Sequence, residues 1–350
     1  MYTKDFEKFK EYNIKDVQLL RDLDKKTNMI GLMIKECEWT GSFLDRFYIG
    51  ELLDNYILRR SKALGTFQHS KPDFEESKSY ANPKIRGGFV MKPVVGLHEN
   101  VRIFDFKSLY PTIIVGFNIG QDTLNEELSH KGFDAFCNFL NVGTPDERKI
   151  EDVEYDEWKA FLAEQKKLLD PENKYIQTGN NAFFAKDRQS FVSDLIKYFL
   201  TERSRMKKEV KNYPPGSPEA VNLSESQLIV KEMANSMFGI TCDKTSRYFN
   251  LYVSEAITLT GQFMNRTASK IAHDLGYETI YGDSVHGSSV VRFGNDTMTV
   301  AALWRKHRYR ARKYHDDKEA IQFHTPALTA SLTKDAVLVS KQVSALIRVS

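Results

Sequence analysis

Residues 102–114 read Arg102-Ile-Phe-Asp-Phe-Lys-Ser-Leu-Tyr-Pro-Thr-Ile-Ile114, a short run that changes character halfway. Val101, Ile103 and Phe104 are apolar and β-favouring, and no breaker interrupts them, which predicts a buried strand. Asp105 stands at the end of that strand, and Pro111 turns the chain just after Tyr110. A carboxylate at the end of a buried strand is costly unless it is paired, hydrogen-bonded or on a metal. Taken alone, Asp105 is also what an ordinary cap of the next segment looks like.

The bulk of the chain sets wide bounds. Its 350 residues leave room for two or three domains and a substantial core. Composition is ordinary globular, 41% hydrophobic and 28% charged, and a formal charge of +3 does not by itself indicate nucleic acid. Cys37, Cys137 and Cys242 lack metal-ligand spacing, which predicts reduced thiols and a cytoplasmic protein. There is no charged-then-apolar leader and no bilayer-length apolar run, so no membrane partner is expected.

Downstream, Phe191 to Lys211 has helical apolar spacing, with Arg203, Arg205, Lys207, Lys208 and Lys211 crowding its C-terminal half. Cations there suit the helix dipole, so part of this basicity needs no ligand. After the Pro214-Pro-Gly216 turn a second helix carries Lys231-Glu-Met-Ala-Asn235-Ser-Met-Phe-Gly239. Lys231 and Asn235 lie one helical turn apart and project together. A helix from Ser254 to Leu275 then leads into Thr279-Ile-Tyr-Gly-Asp283, a second strand ending in a carboxylate.

These three runs together resemble family B DNA polymerases. DFKSLYPTII is similar to motif A, DFxSLYPSII; Lys231 to Gly239 is similar to motif B, KxxxNSxYG, with Phe238 for Tyr; Tyr281-Gly-Asp283 is the first half of motif C, YGDTDS. The resemblance implies an α/β fold: a palm of antiparallel strands with helical fingers inserted. It implies that Asp105 and Asp283 hold two Mg2+ ions, hard cations that prefer carboxylate oxygen. Leu109 and Tyr110 would line the sugar pocket of the dNTP, the Tyr excluding a 2′-hydroxyl. Arg203, Lys207, Lys231 and Asn235 would contact the triphosphate, where negative charge builds on the leaving pyrophosphate. Primer–template DNA and dNTP are the partners implied.

Two upstream segments have readings of their own. Phe6 to Leu23 predicts an amphipathic helix, and Tyr12-x-x-x-Asp16 places both side chains on one face. The pair resembles the third exonuclease motif of proofreading domains, read here as a remnant that is inactive alone; a Tyr and an Asp at this spacing are also commonplace. Arg86-Gly-Gly-Phe-Val90 is similar to the Tyr-x-Gly-Gly switch between polymerising and editing, with Ile85 where the Tyr would be. A hairpin turn is the other reading.

After Asp283 the expected Thr-Asp-Ser is replaced by Ser284-Val-His-Gly-Ser-Ser-Val-Val-Arg-Phe. This resembles the start of an intein inserted within motif C. Intein chemistry needs a hydroxyl or thiol at its first residue, and Ser284 supplies one next to the Asp283 carbonyl. Thr333-Lys-Asp335 is similar to the Thr-x-x-His element, but Ala336 occupies the position of the His that protonates the departing nitrogen. The basic run Arg305 to Lys313 is a solvated face or a steering surface for an acidic fragment.

The expected organisation is therefore an exonuclease remnant (1–45), a linking helical segment (46–94) and palm with motif A (95–120). An insertion (121–190), fingers with motif B (191–239), palm to the first half of motif C (240–283) and a small all-β split-intein segment (284–350) follow. The expected function is a DNA-directed DNA polymerase fragment, inactive alone and joined to a C-terminal partner chain by trans-splicing. One rival is an autoprocessing element whose own activity is peptide rearrangement. The other is a non-catalytic DNA-binding subunit assembled without splicing.

Overall fold

The computed structural model describes residues 5–73, 85–94, 101–104, 106, 108–282, 290–293, 296–299 and 345–348. For 101–104, 290–293, 296–299 and 345–348 the description is of the backbone. Helices α1 (Phe6–Thr27), α2 (Met29–Thr40) and α3 (Ile49–Ala63) come first, followed by β1 (Val101–Phe104), α4 (Leu109–Gly116), α5 (Glu126–Phe139) and α6 (Tyr155–Leu169). The hairpin β2 (Tyr175–Gln177) and β3 (Phe183–Ala185) precedes the long helices α7 (Phe191–Glu209), α8 (Pro218–Cys242) and α9 (Leu251–Asp274). Then come β4 (Glu278–Gly282), β5 (Val290–Phe293), β6 (Asp296–Thr299) and β7 (Ala345–Arg348). The chain divides into two compact units, 1–77 with 197–247, and 78–196 with 248–350.

The first unit is helical. Leu52, Leu53 and Ile57 of α3, Phe199 and Met206 of α7, and Ile229, Val230, Met233 and Met237 of α8 are buried. The start of α8 is set by chemistry written locally. Ser217 caps α8 by accepting a hydrogen bond from the Ala220 N–H at 3.2 Å, and Pro218 follows at the first helical position. Gly216, at φ +84°, makes the turn that a side chain would resist. Asp54, buried on α3, is held by both nitrogens of the Arg247 fork at 2.8 and 3.2 Å and by Lys71 at 3.1 Å. Helix α1 forms as its spacing predicts, yet none of its residues is buried, and Phe6, Ile14, Val17, Leu20 and Leu23 are exposed.

The second unit is built around α9, in which every residue from Val253 to Gln262 is buried. A helix buried on all sides must be covered by several elements. Phe136, Leu140, Ile150, Val153, Trp158 and Leu162 pack with Leu259 into one cluster, so residues 126–169, within the segment read as an insertion (121–190), supply core. Gly179 approaches α9 so closely that a Cβ would lie 2.6 Å from the carbonyl atoms of Leu259. The Trp158 indole N–H donates to the Gly179 carbonyl at 3.1 Å. The sheet of this unit has the order β1-β7-β4, all antiparallel, and β5 pairs with β6 as a separate ribbon.

Candidate functional site

Motif A is set by a strand, a strained turn and a short helix. β1 ends at Phe104, and Leu109 and Tyr110 open α4. Pro111 falls within the first turn of α4, where the missing N–H costs no helical bond. Ser108 precedes the helix at φ +53°. The other described non-glycine residues with positive φ are all asparagines, the type that tolerates this region; Ser108 is the exception. Gly261 of α9 lies beneath: a Cβ there would be 3.4 Å from Tyr110 and from Ile113 and 3.8 Å from Leu109. A bare backbone at that point lets the Tyr110 ring rest against α9.

Asn118 closes the back of this segment. Its Nδ2 donates to the carbonyls of Ala185 at 2.9 Å and Arg188 at 2.8 Å, while its Oδ1 accepts from Gln189 Nε2 at 2.7 Å and the Ser190 N–H at 2.9 Å. A fully satisfied buried amide fixes the loop that leads into α7.

No turn forms at the glycine pair 87–88. The Arg86 backbone N–H donates to Glu255 Oε1 at 3.0 Å and its Nη1 to Oε2 at 2.7 Å. Thr258 Oγ1 donates to the Arg86 carbonyl at 2.6 Å, and Gln262 Nε2 to the Gly87 carbonyl at 2.7 Å. Glu255, Thr258 and Gln262 are spaced along one face of α9, so this helix grips residues 86–87 through three successive contacts. Burial pushes the Glu255 carboxyl upward in pKa, and Arg86 opposes that push. From there the chain runs beside β4: the Met91 N–H donates to the Gly282 carbonyl at 2.8 Å and the Val94 N–H to Ile280 at 2.9 Å.

Motif B lies on α8. Lys231 and Asn235 are half-buried one turn apart. Arg203 of α7 is also half-buried, and its Nε meets Gln227, one turn before Lys231, at 3.4 Å. Burial lowers the Arg203 pKa, which marks a guanidinium held against protein. Lys207 is exposed one turn further along α7. Arg205 is neutralised by Glu202 and Glu209. Arg203 and the Lys231 face of α8 are therefore brought together.

The strand before motif C is β4, with Ile280 fully buried. Asp105, Asp283, Ser284 and Thr333 lie outside the described residues, as do Ala336 and most of the segment read as all-β at 284–350. Among the described residues no group of three or more His, Cys, Asp or Glu is placed to hold a metal ion. Tyr12 and Asp16 are exposed on α1 with no such group beside them. Among the described residues no helix is long and apolar enough to cross a membrane. Sequence reasoning missed Asn118, Gly261 and the Arg86–Glu255 pair; only the glycine pair at 87–88 signalled that backbone packs closely there.

Comparison with known proteins gives the family. DNA polymerase family B matches residues 52–286. "DNA polymerase 2" of Aeropyrum pernix is 30% identical over 236 residues, 67% of this chain and 24% of that protein. The "DNA polymerase" of Desulfurococcus sp. strain Tok is 27% identical over 303 residues, 84% of this chain and 32% of that one. In fold the chain is similar to the family B DNA polymerase from Pyrobaculum calidifontis, at a TM-score of 0.51 and 22% identity, over 86% of this chain and 33% of that one. The chain belongs to DNA polymerase family B. It spans 24–32% of the length of these curated relatives.

Proposed function

We propose that this chain is the palm-and-fingers part of a DNA-directed DNA polymerase, adding dNTP to a primer 3′-hydroxyl on a DNA template once a C-terminal partner chain completes it. The observation that carries the reading is the sheet register: Phe104 and Gly282, which precede Asp105 and Asp283, both pair with Ala345. Two strands that end at one level of one sheet support a shared role for the Asp that follows each in sequence.

Two Asp side chains offer hard oxygen donors, which suit Mg2+, so Asp105 and Asp283 would hold it. When bound, Mg2+ supplies positive charge to the phosphates and lowers the pKa of the attacking hydroxyl. The chain's own residues do the positioning. Tyr110, backed by α9 at Gly261, is the residue against which the sugar stacks, with Leu109 beside it. Arg203, Lys207, Lys231 and Asn235 hold the triphosphate, and Arg203 is preorganised by its contact with Gln227.

Residues 284–350 are, on this reading, the N-terminal half of a split intein. Ser284 Oγ attacks the Asp283 carbonyl, the peptide bond to the Ser284 nitrogen breaks, and an ester takes its place. Thr333 polarises that peptide; Ala336 leaves the departing nitrogen without the usual histidine proton donor. In support, the family match stops at residue 286, three residues past Asp283.

Primer extension by this chain mixed with its C-terminal partner is the test. Activity that the Asp105→Asn variant abolishes is expected; extension unaffected by Asp105→Asn would remove Asp105 from the catalytic role.

A further inference from the structure

β1 and β4 are not neighbours in the sheet. Each pairs with Ala345–Arg348, which runs antiparallel to both, with Val101 and Glu278 opposite Arg348 at one end and Phe104 and Gly282 opposite Ala345 at the other; β4 carries a bulge at Ile280. The two outer strands lie within the family-matched residues and the middle one lies beyond them. A slot at the centre of the palm sheet is thus filled by backbone from a different part of the chain.

We propose that Ala345–Arg348 is a stand-in strand, holding this slot until a strand of the C-terminal partner chain replaces it. The inference rests on the reading that residues 284–350 are removed or displaced when the polymerase is completed.

The physical requirement is simple. Neighbouring strands sit ~4.8 Å apart, so with the middle strand gone β1 and β4 face each other across two spacings with their N–H and C=O groups unpaired. They cannot close the gap without moving one strand sideways by a full spacing. Another strand must enter, and its direction is dictated: antiparallel to β4, as the return strand of a hairpin following Asp283 would be. The partner is therefore recognised by main-chain pairing, through a strand near the junction itself, and not by a pocket. Until it arrives, the stand-in keeps two strand edges from pairing with other chains.

Hydrogen exchange and a reversible lock test this in the full-length chain. Proline in a central strand removes a ladder hydrogen bond, so Ile347→Pro should strip protection from residues 101–104 and 278–282 together while α9 stays protected. Adding the C-terminal partner should restore it. Unchanged exchange in both outer strands of Ile347→Pro would overturn the proposal.

Cysteines at Ile103 and Leu346, which are register partners, would lock the stand-in when oxidised. Oxidised Ile103→Cys/Leu346→Cys mixed with the partner should fail to extend primers, and reduction should restore extension. Full extension by the oxidised form would overturn the proposal. Intact mass on the same samples separates this from the splicing reading: redox-gated extension without a ligated product sinks splicing and leaves the strand exchange standing. Ligation with redox-independent extension does the reverse.

Discussion

Phe104 and Gly282 pair with one residue, Ala345, from its two sides. The chain separates them by more than half its length, yet the sheet brings the two motif strands to the same level, with Asp105 and Asp283 next in sequence. If those carboxylates work together, neither is dispensable. Asp105→Asn and Asp283→Asn in the completed polymerase should each cut primer extension by at least about a thousandfold, matching several kcal/mol of lost charge stabilisation. Thermal unfolding of the variants should be unchanged; a matching drop in stability would point to a structural role instead.

Glu255 is almost wholly buried on α9 and its one cationic partner among the described residues is Arg86. Removing Arg86 leaves a carboxylate without compensation inside the core. Arg86→Ala should lower stability by about 3–5 kcal/mol in denaturant unfolding, and the double variant Arg86→Met/Glu255→Leu should recover part of that. Equal losses in both would mean that the contacts of the segment, not the charge, dominate.

Glu36 of α2 is buried beside Glu232 of α8, and burial, then the hydrogen bond and charge of Glu232, push its pKa up to about 7. In the unfolded chain it titrates in the usual carboxylate range, so folding favours its protonated form. That contribution is complete below the unfolded pKa and is lost as pH rises through about 7. Glu36→Gln keeps a neutral donor at the position. Its stability advantage over the wild type should grow between pH 5 and 8 and be flat below pH 4; a pH-independent difference would refute the assignment.

Gly179 is adjacent to the α9 backbone with no room for a methyl group. Gly179→Ala should destabilise by about 1–3 kcal/mol, read as a lowered Tm, because backbone on the far side cannot yield as a side chain would. An unchanged Tm would show that α9 shifts at little cost.

What could be read in the sequence was whatever a contiguous run encodes. The strand at 101–104, the helices at 191–209 and 218–242 with their Pro-Gly turn, and the 278–282 strand all announce themselves through periodicity and punctuation. What could not be read depends on partners far along the chain. Asn118 looks like any loop asparagine until its four bonds to residues 185–190 are seen. Glu255 looks like a surface charge within a helix, yet it is core. Residues 126–169 have mixed polar patterning, and only the presence of α9 beneath them explains Phe136 and Trp158. The apolar stripe of α1 was legible as a stripe, but sequence periodicity does not say what covers it, and nothing in its own unit buries it.

Intact-mass spectrometry after mixing this chain with its C-terminal partner, run beside primer extension, tests the central claim most directly. The account predicts a ligated product that has lost residues 284–350 and extends primers, formed faster by Ala336→His, which restores the proton donor. If the Ala336→His chain stays at its original mass while the mixture extends primers, the account is contradicted, and the protein is a polymerase subunit that works by association alone.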